Sequence, residues 1–106
     1  MKYYRQGDVC LVPIAEVPKG AKIVARDRGR IVLAYGEVTG HAHAVLDRQA
    51  DLFMAPDVDA RFLRVMAASG VELVHEEHAT IPLPRGIYEV RTQREYSPKE
   101  IRRVAD

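Results

Sequence analysis

Short apolar segments recur along the chain at intervals of about eight to twelve residues, separated by glycine, proline or charged residues. That spacing predicts a mainly β chain, a small single-domain β-barrel or sandwich. Strands are expected at 8–14, 22–24, 30–34, 41–46, 52–54, 61–66, 71–76, 79–83 and 86–93. Pro13 and Pro18 mark the exit from the first of them, and Pro18-Lys19-Gly20 reads as a turn. Asp27-Arg28-Gly29-Arg30 forms a tight connection, with a glycine where φ can be positive. Pro84-Arg85-Gly86 does the same before the last strand, in which Tyr88 and Val90 share one face and Ile87 and Glu89 the other.

The pattern changes at the C-terminal end. Ser97-Pro98-Lys99-Glu100 supplies a helix N-cap, a proline at the first helical position and a glutamate at the third. A short helix over 98–104 is therefore expected, docked on the β domain through Ile101 and Val104.

With 106 residues the chain is expected to be one domain, 1–106, burying roughly 60–65% of its unfolded surface. Hydrophobic residues make up 47% and charged residues 29%, the values of a soluble globular domain rather than of a disordered one. No apolar run approaches the ~20 residues of a membrane span, and the first residues carry no apolar leader, so a cytoplasmic location is expected. The single cysteine, Cys10, excludes an internal disulfide and is expected to be a buried, inert thiol. A formal charge of +1 gives no general case for a polyanion partner. The arginines 26, 28 and 30 and the cluster Lys99, Arg102 and Arg103 are expected to be solvated faces.

All four histidines fall in two tight pairs, His41-Ala42-His43 and His75-Glu76-Glu77-His78. On a strand, residues two apart project to one side, so His41 and His43 are expected to face a common point. The second pair follows the alternation of Val71, Leu73 and His75, which favours an extended segment. Such a segment puts His75 with Glu77, or Glu76 with His78, on one face; a bulge between the histidines would swing both rings inward. The expected ligands are His41, His43, His75 and His78, with Glu77 as the carboxylate alternative. Imidazoles in this number suit a divalent transition metal, Zn, Fe, Ni, Mn or Cu, in preference to Mg or Ca. Glu76 or Glu77 is then the candidate catalytic base. Gly36 and Gly40 bracket the approach to the first pair, and Tyr35, Glu37 and Thr39 are candidates to orient a ligating ring.

The stretch from Gly36 to Asp47, with His41-Ala42-His43 inside it, resembles the first motif of the cupins. That resemblance implies a cupin-like double-layered barrel in which Asp47 stands in for the family's metal-binding glutamate. Arg5 to Val9, Gly36 to His43, His75 to His78 and Gln93 to Tyr96 together are similar to a group of small uncharacterised proteins of bacteria and their phages. That similarity implies no activity.

The first functional expectation is a metal-binding β domain, and a metal-dependent hydrolase acting on a small molecule if one coordination position is open. The alternative is a metal-free RNA-binding or RNA-processing module using Arg26, Arg28, Arg30 and Arg91 for charge and Tyr3, Tyr4, Tyr88 and Tyr96 for stacking. A subunit of a larger assembly, or a homo-oligomer joined through β edges, is the third.

Overall fold

The computed structural model describes residues 2–36 and 40–92. Among the described residues ten strands run in chain order: β1 Tyr4–Gln6, β2 Val9–Ile14, β3 Lys22–Ile23, β4 Ile31–Tyr35, β5 Ala42–Val45, β6 Ala50–Ala55, β7 Ala60–Val65, β8 Val71–Val74, β9 Ile81–Leu83 and β10 Gly86–Thr92. They form a six-stranded sheet, β1-β2-β10-β7-β6-β3, and a four-stranded sheet, β4-β5-β8-β9. Every pairing within them is antiparallel. The chain is thus a small two-sheet, sandwich-like domain and not a closed barrel. The helix expected over 98–104 lies outside the described residues.

Alternation builds the core. Val9 and Leu11 on β2, Leu52 on β6, Leu63 and Val65 on β7, and Tyr88 and Val90 on β10 are buried from one sheet. Ile31, Leu33, Val45, Val71, Leu73 and Leu83 are buried from the other, and all belong to one cluster. Each such side chain contributes on the order of 1.5–3 kcal/mol relative to an exposed one. Tyr88 also donates its hydroxyl to the Pro84 carbonyl, which satisfies its one polar group.

Turn chemistry fixes the register at two places that matter below. Arg28 and Gly29 have φ of 55° and 81°, and Asp27 and Arg30 exchange backbone hydrogen bonds around them. At the other, Gly7 and Asp8 connect β1 to β2, whose last rung pairs Gln6 with Val9. Gly7 takes φ 57°, the position that a type II′ hairpin fills with glycine. The pattern of apolar positions missed β1 altogether. Gly-Asp between two extended runs was the available signal.

Candidate metal centre

The sheet register brings the two histidine pairs together. β5 and β8 pair Ala44 with Val74 and Val45 with Leu73. Continued past the end of β8, that antiparallel register sets His43 opposite His75 and His41 opposite Glu77. The side chains follow it: the His43 and His75 rings are 4.3 Å apart between centroids, and His41 Nδ1 lies 2.9 Å from Glu77 Oε2. Between them Glu76 Oε1 accepts the Ala42 amide at 2.9 Å.

His78 joins by a different route. β8 ends at Val74, and the residues that follow bend instead of forming a bulge within the ladder. The bend is held by His75 itself, whose Nδ1 accepts the amides of Glu77 at 2.9 Å and His78 at 3.2 Å. It carries the His78 ring to 4.7 Å from His75 and 5.6 Å from His43. One ring nitrogen from each of His43, His75 and His78 lies within 4.8 Å of the others. Three nitrogens on one zinc-sized ion at about 2 Å would be roughly 3.3 Å apart, so the rings would have to draw together by up to about 1.5 Å to hold one. His41 is outside this trio, its ring 5.9 Å from that of His75 and its Nδ1 turned to Glu77.

Proton positions follow from fixed partners. Gln6, only 3% exposed, donates from Nε2 to the carbonyls of Leu73 and Ala79, both at 2.9 Å. Its amide orientation is thereby set, and Oε1 faces His43 Nδ1 at 2.8 Å. An amide oxygen only accepts, so His43 Nδ1 carries a hydrogen and the neutral ring keeps its lone pair on Nε2. Burial, reinforced by the neighbouring His75 and His78, pushes the His43 pKa down to about 4, against opposing pulls from Asp8 and Glu76. The ring is therefore neutral at physiological pH.

His75 has the converse arrangement. Because Nδ1 accepts two amides, its neutral ring carries the proton on Nε2. An ion at Nδ1 would replace both amides, and an ion at Nε2 would move the proton to Nδ1 and break both bonds.

Gly7 completes the pocket around His78. A Cβ at this position would stand 2.6 Å from His78 Nε2, so any other residue there would make that exposed ring shift. Gln6 and Gly7 are the neighbours of the histidines that the reading of histidine spacing overlooked; they belong to the Arg5 to Val9 segment and meet the histidines only in the fold.

The other expected residues have definite places. Glu76 is held below its ordinary pKa chiefly by the Ala42 amide, which marks its carboxylate as a brace between the two histidine segments. Asp47 lies beyond the far end of β5, where its Oδ1 accepts the Gln49 amide; it is not in the histidine group. Tyr35 donates to Asp27. Glu37 and Thr39 are outside the described residues. Cys10 is a free, half-buried thiol instead of the fully buried one expected, because it sits at an outward position of β2. Arg26 spends its guanidinium on the carbonyls of Gly29, Asp47 and Ala50, and Arg91 contacts Glu89. No helix among the described residues is long and apolar enough to cross a membrane. A hollow of about 320 Å³ on the outer face of the four-stranded sheet, floored by Ala42 and Ala44 and flanked by Arg30, Leu46 and Val74, ends at His75 and Glu76.

A family model described as Domain of unknown function (DUF8820) matches residues 5–93, which include Arg5 and Gln6 of β1, Gly7 and all four histidines. Comparison with curated proteins and with solved structures gives no significant match.

Proposed function

The chain belongs to the family described as Domain of unknown function (DUF8820), a membership that brings no activity with it, and we propose that it binds a divalent transition ion through His43, His75 and His78. The observation that carries this is the approach of three ring nitrogens to within 4.8 Å of one another, one of them on a buried histidine whose other nitrogen is already spoken for.

The donor set, three imidazoles and no thiolate, suits Zn, Fe, Ni or Mn. When bound, such an ion supplies Lewis acidity of the kind that activates water in hydrolases. Around it, the chain's own residues divide the remaining work. Glu77 holds the Nδ1 hydrogen of His41 and leaves Nε2 of that ring able to take up a proton. Glu76, engaged by the Ala42 amide and held below its ordinary pKa, is poorly suited to act as a base. The hollow that ends at His75 offers a small molecule an apolar floor and the Arg30 cation at its margin. A two-layered antiparallel domain with a His-x-His pair entering one strand is also what a cupin-like metal domain would contain.

Elemental analysis of untagged protein tests the proposal. Near-stoichiometric metal in the native chain and its loss in His43→Ala are the expected results. A native chain that takes up none of Zn, Fe, Ni or Mn on reconstitution would falsify it.

A further inference from the structure

We infer that Gln6 is a positioning residue of the histidine centre, holding His43 in the Nδ1-protonated tautomer so that Nε2 is free to ligate. The inference rests on the proposed metal binding and adds strand β1 to the machinery that supports it. The contacts of Gln6 reach every ligand-bearing segment: His43 on β5, Leu73 two residues before His75, and Ala79 one residue after His78. It belongs to the six-stranded sheet, whereas the segments it holds belong to or extend from the four-stranded sheet.

The amide group suits this task better than other side chains of similar size. Its two N–H donors match two carbonyls, and its remaining acceptor meets one imidazole N–H, so all its hydrogen-bonding groups have partners within a buried environment. A side chain serving only as a cross-brace between loops would need the two donors. The acceptor does something further: it decides which nitrogen of His43 carries the hydrogen, and partners of this type orient and tune ligating imidazoles. Because the partner is a neutral amide, it does so without adding negative charge to the centre.

The role separates from bracing by two substitutions. Gln6→Leu removes donors and acceptor together, whereas Gln6→Glu removes the donors and keeps an acceptor facing His43. Zn²⁺ affinity is measured by titration calorimetry, and the tautomer is read from long-range ¹H–¹⁵N correlations of the imidazole in metal-free protein. The expected results are an Nδ1–H tautomer at His43 in the native chain, Zn²⁺ binding about 10–100-fold weaker in Gln6→Leu, and recovery of most of that loss in Gln6→Glu. Equal weakening in the two variants would mark a brace and overturn the inference. If Gln6→Leu does not fold, the native tautomer decides: an Nε2–H ring at His43 overturns the positioning role whatever the variants do. Zn²⁺ binding by the native chain together with an Nε2–H ring would remove this inference alone, while a native chain that binds no Zn²⁺ removes the metal reading and this inference with it.

Discussion

Two polar side chains stitch separate backbone segments together at opposite ends of β5. Near the Val45 end, Arg26 donates to the carbonyls of Gly29, Asp47 and Ala50. Toward the Ala42 end, Gln6 donates to those of Leu73 and Ala79. Both give backbone carbonyls a side-chain donor, as acceptors in a folded chain require a partner. The difference lies in what is left over. A guanidinium has only donors, so Arg26 closes its network on the backbone. An amide has an acceptor as well, and that of Gln6 is directed at a histidine in the cluster. The same stitching device is structural at one end and able to act on chemistry at the other.

The largest effect expected from breaking this comparison is at Gln6. Gln6→Leu removes the Gln6 partner from the Leu73 and Ala79 carbonyls and from the buried His43 N–H, and a buried group left unpaired costs about 1–3 kcal/mol. Allowing for local relaxation and water entry, a loss of roughly 2–4 kcal/mol is expected in urea unfolding of metal-free protein. A loss no greater than that of a surface substitution would show that the buried network is not formed.

Acid sharpens the same contrast without mutation. The folded His43 pKa of about 4 lies below the ordinary value of 6.5 because of burial and then the charges of His75 and His78, opposed by Asp8 and Glu76. Between those values the unfolded chain holds a proton that the folded chain does not. Stability of the metal-free protein is therefore full above about pH 6.5, falls as pH drops toward 4, and gains no further loss from this group below that. After screening near the exposed His78, about 1–2 kcal/mol is expected between pH 7.5 and 4.5. Denaturant midpoints at the two pH values measure it, and His43→Gln should flatten the dependence.

Gly7 tests whether the hairpin is shaped for the histidine. An alanine there meets a left-handed φ of 57° and a contact of 2.6 Å with His78 Nε2. A stability loss of about 1–2 kcal/mol is expected from the backbone alone. Displacement of the His78 ring should add weaker Zn²⁺ binding. Unchanged Zn²⁺ affinity in a destabilised Gly7→Ala would place His78 outside the ligand set.

Much of the scaffold is legible in the chain, and the reason is local. Period-two alternation in Val9–Ile14, Ile31–Tyr35 and Gly86–Thr92 records which face is buried, and turn residues such as Arg28-Gly29 record where direction reverses. The histidine pairs are legible as a cluster because their residue type is rare and their spacing is tight. Their partners are not. Gln6 lies 37 residues from His43 and 67 from Leu73, and nothing within the window around Gln6 marks it as buried. The separation of His41 from the other three histidines depends on where β8 stops and on the Glu77 carboxylate, neither of which spacing can tell. Alternation along a strand specifies faces; it does not specify which faces meet.

Arg26 gives the smallest effect and completes the comparison. Its hydrogen bonds are partly exposed, so water can replace the guanidinium once it is gone, and net values for such bonds are about 0.5–1.5 kcal/mol. Arg26→Met keeps much of the aliphatic stem over neighbouring apolar surface and removes only the donors. About 1 kcal/mol of destabilisation is expected, with Zn²⁺ affinity and the His43 tautomer unchanged, since no contact of Arg26 reaches the histidine end of β5. If Arg26→Met weakened Zn²⁺ binding as much as Gln6→Leu does, the two ends would be coupled through the four-stranded sheet. The cluster would then depend on the register of β5 as a whole, and the special role of the Gln6 acceptor would have to be given up in favour of general rigidity.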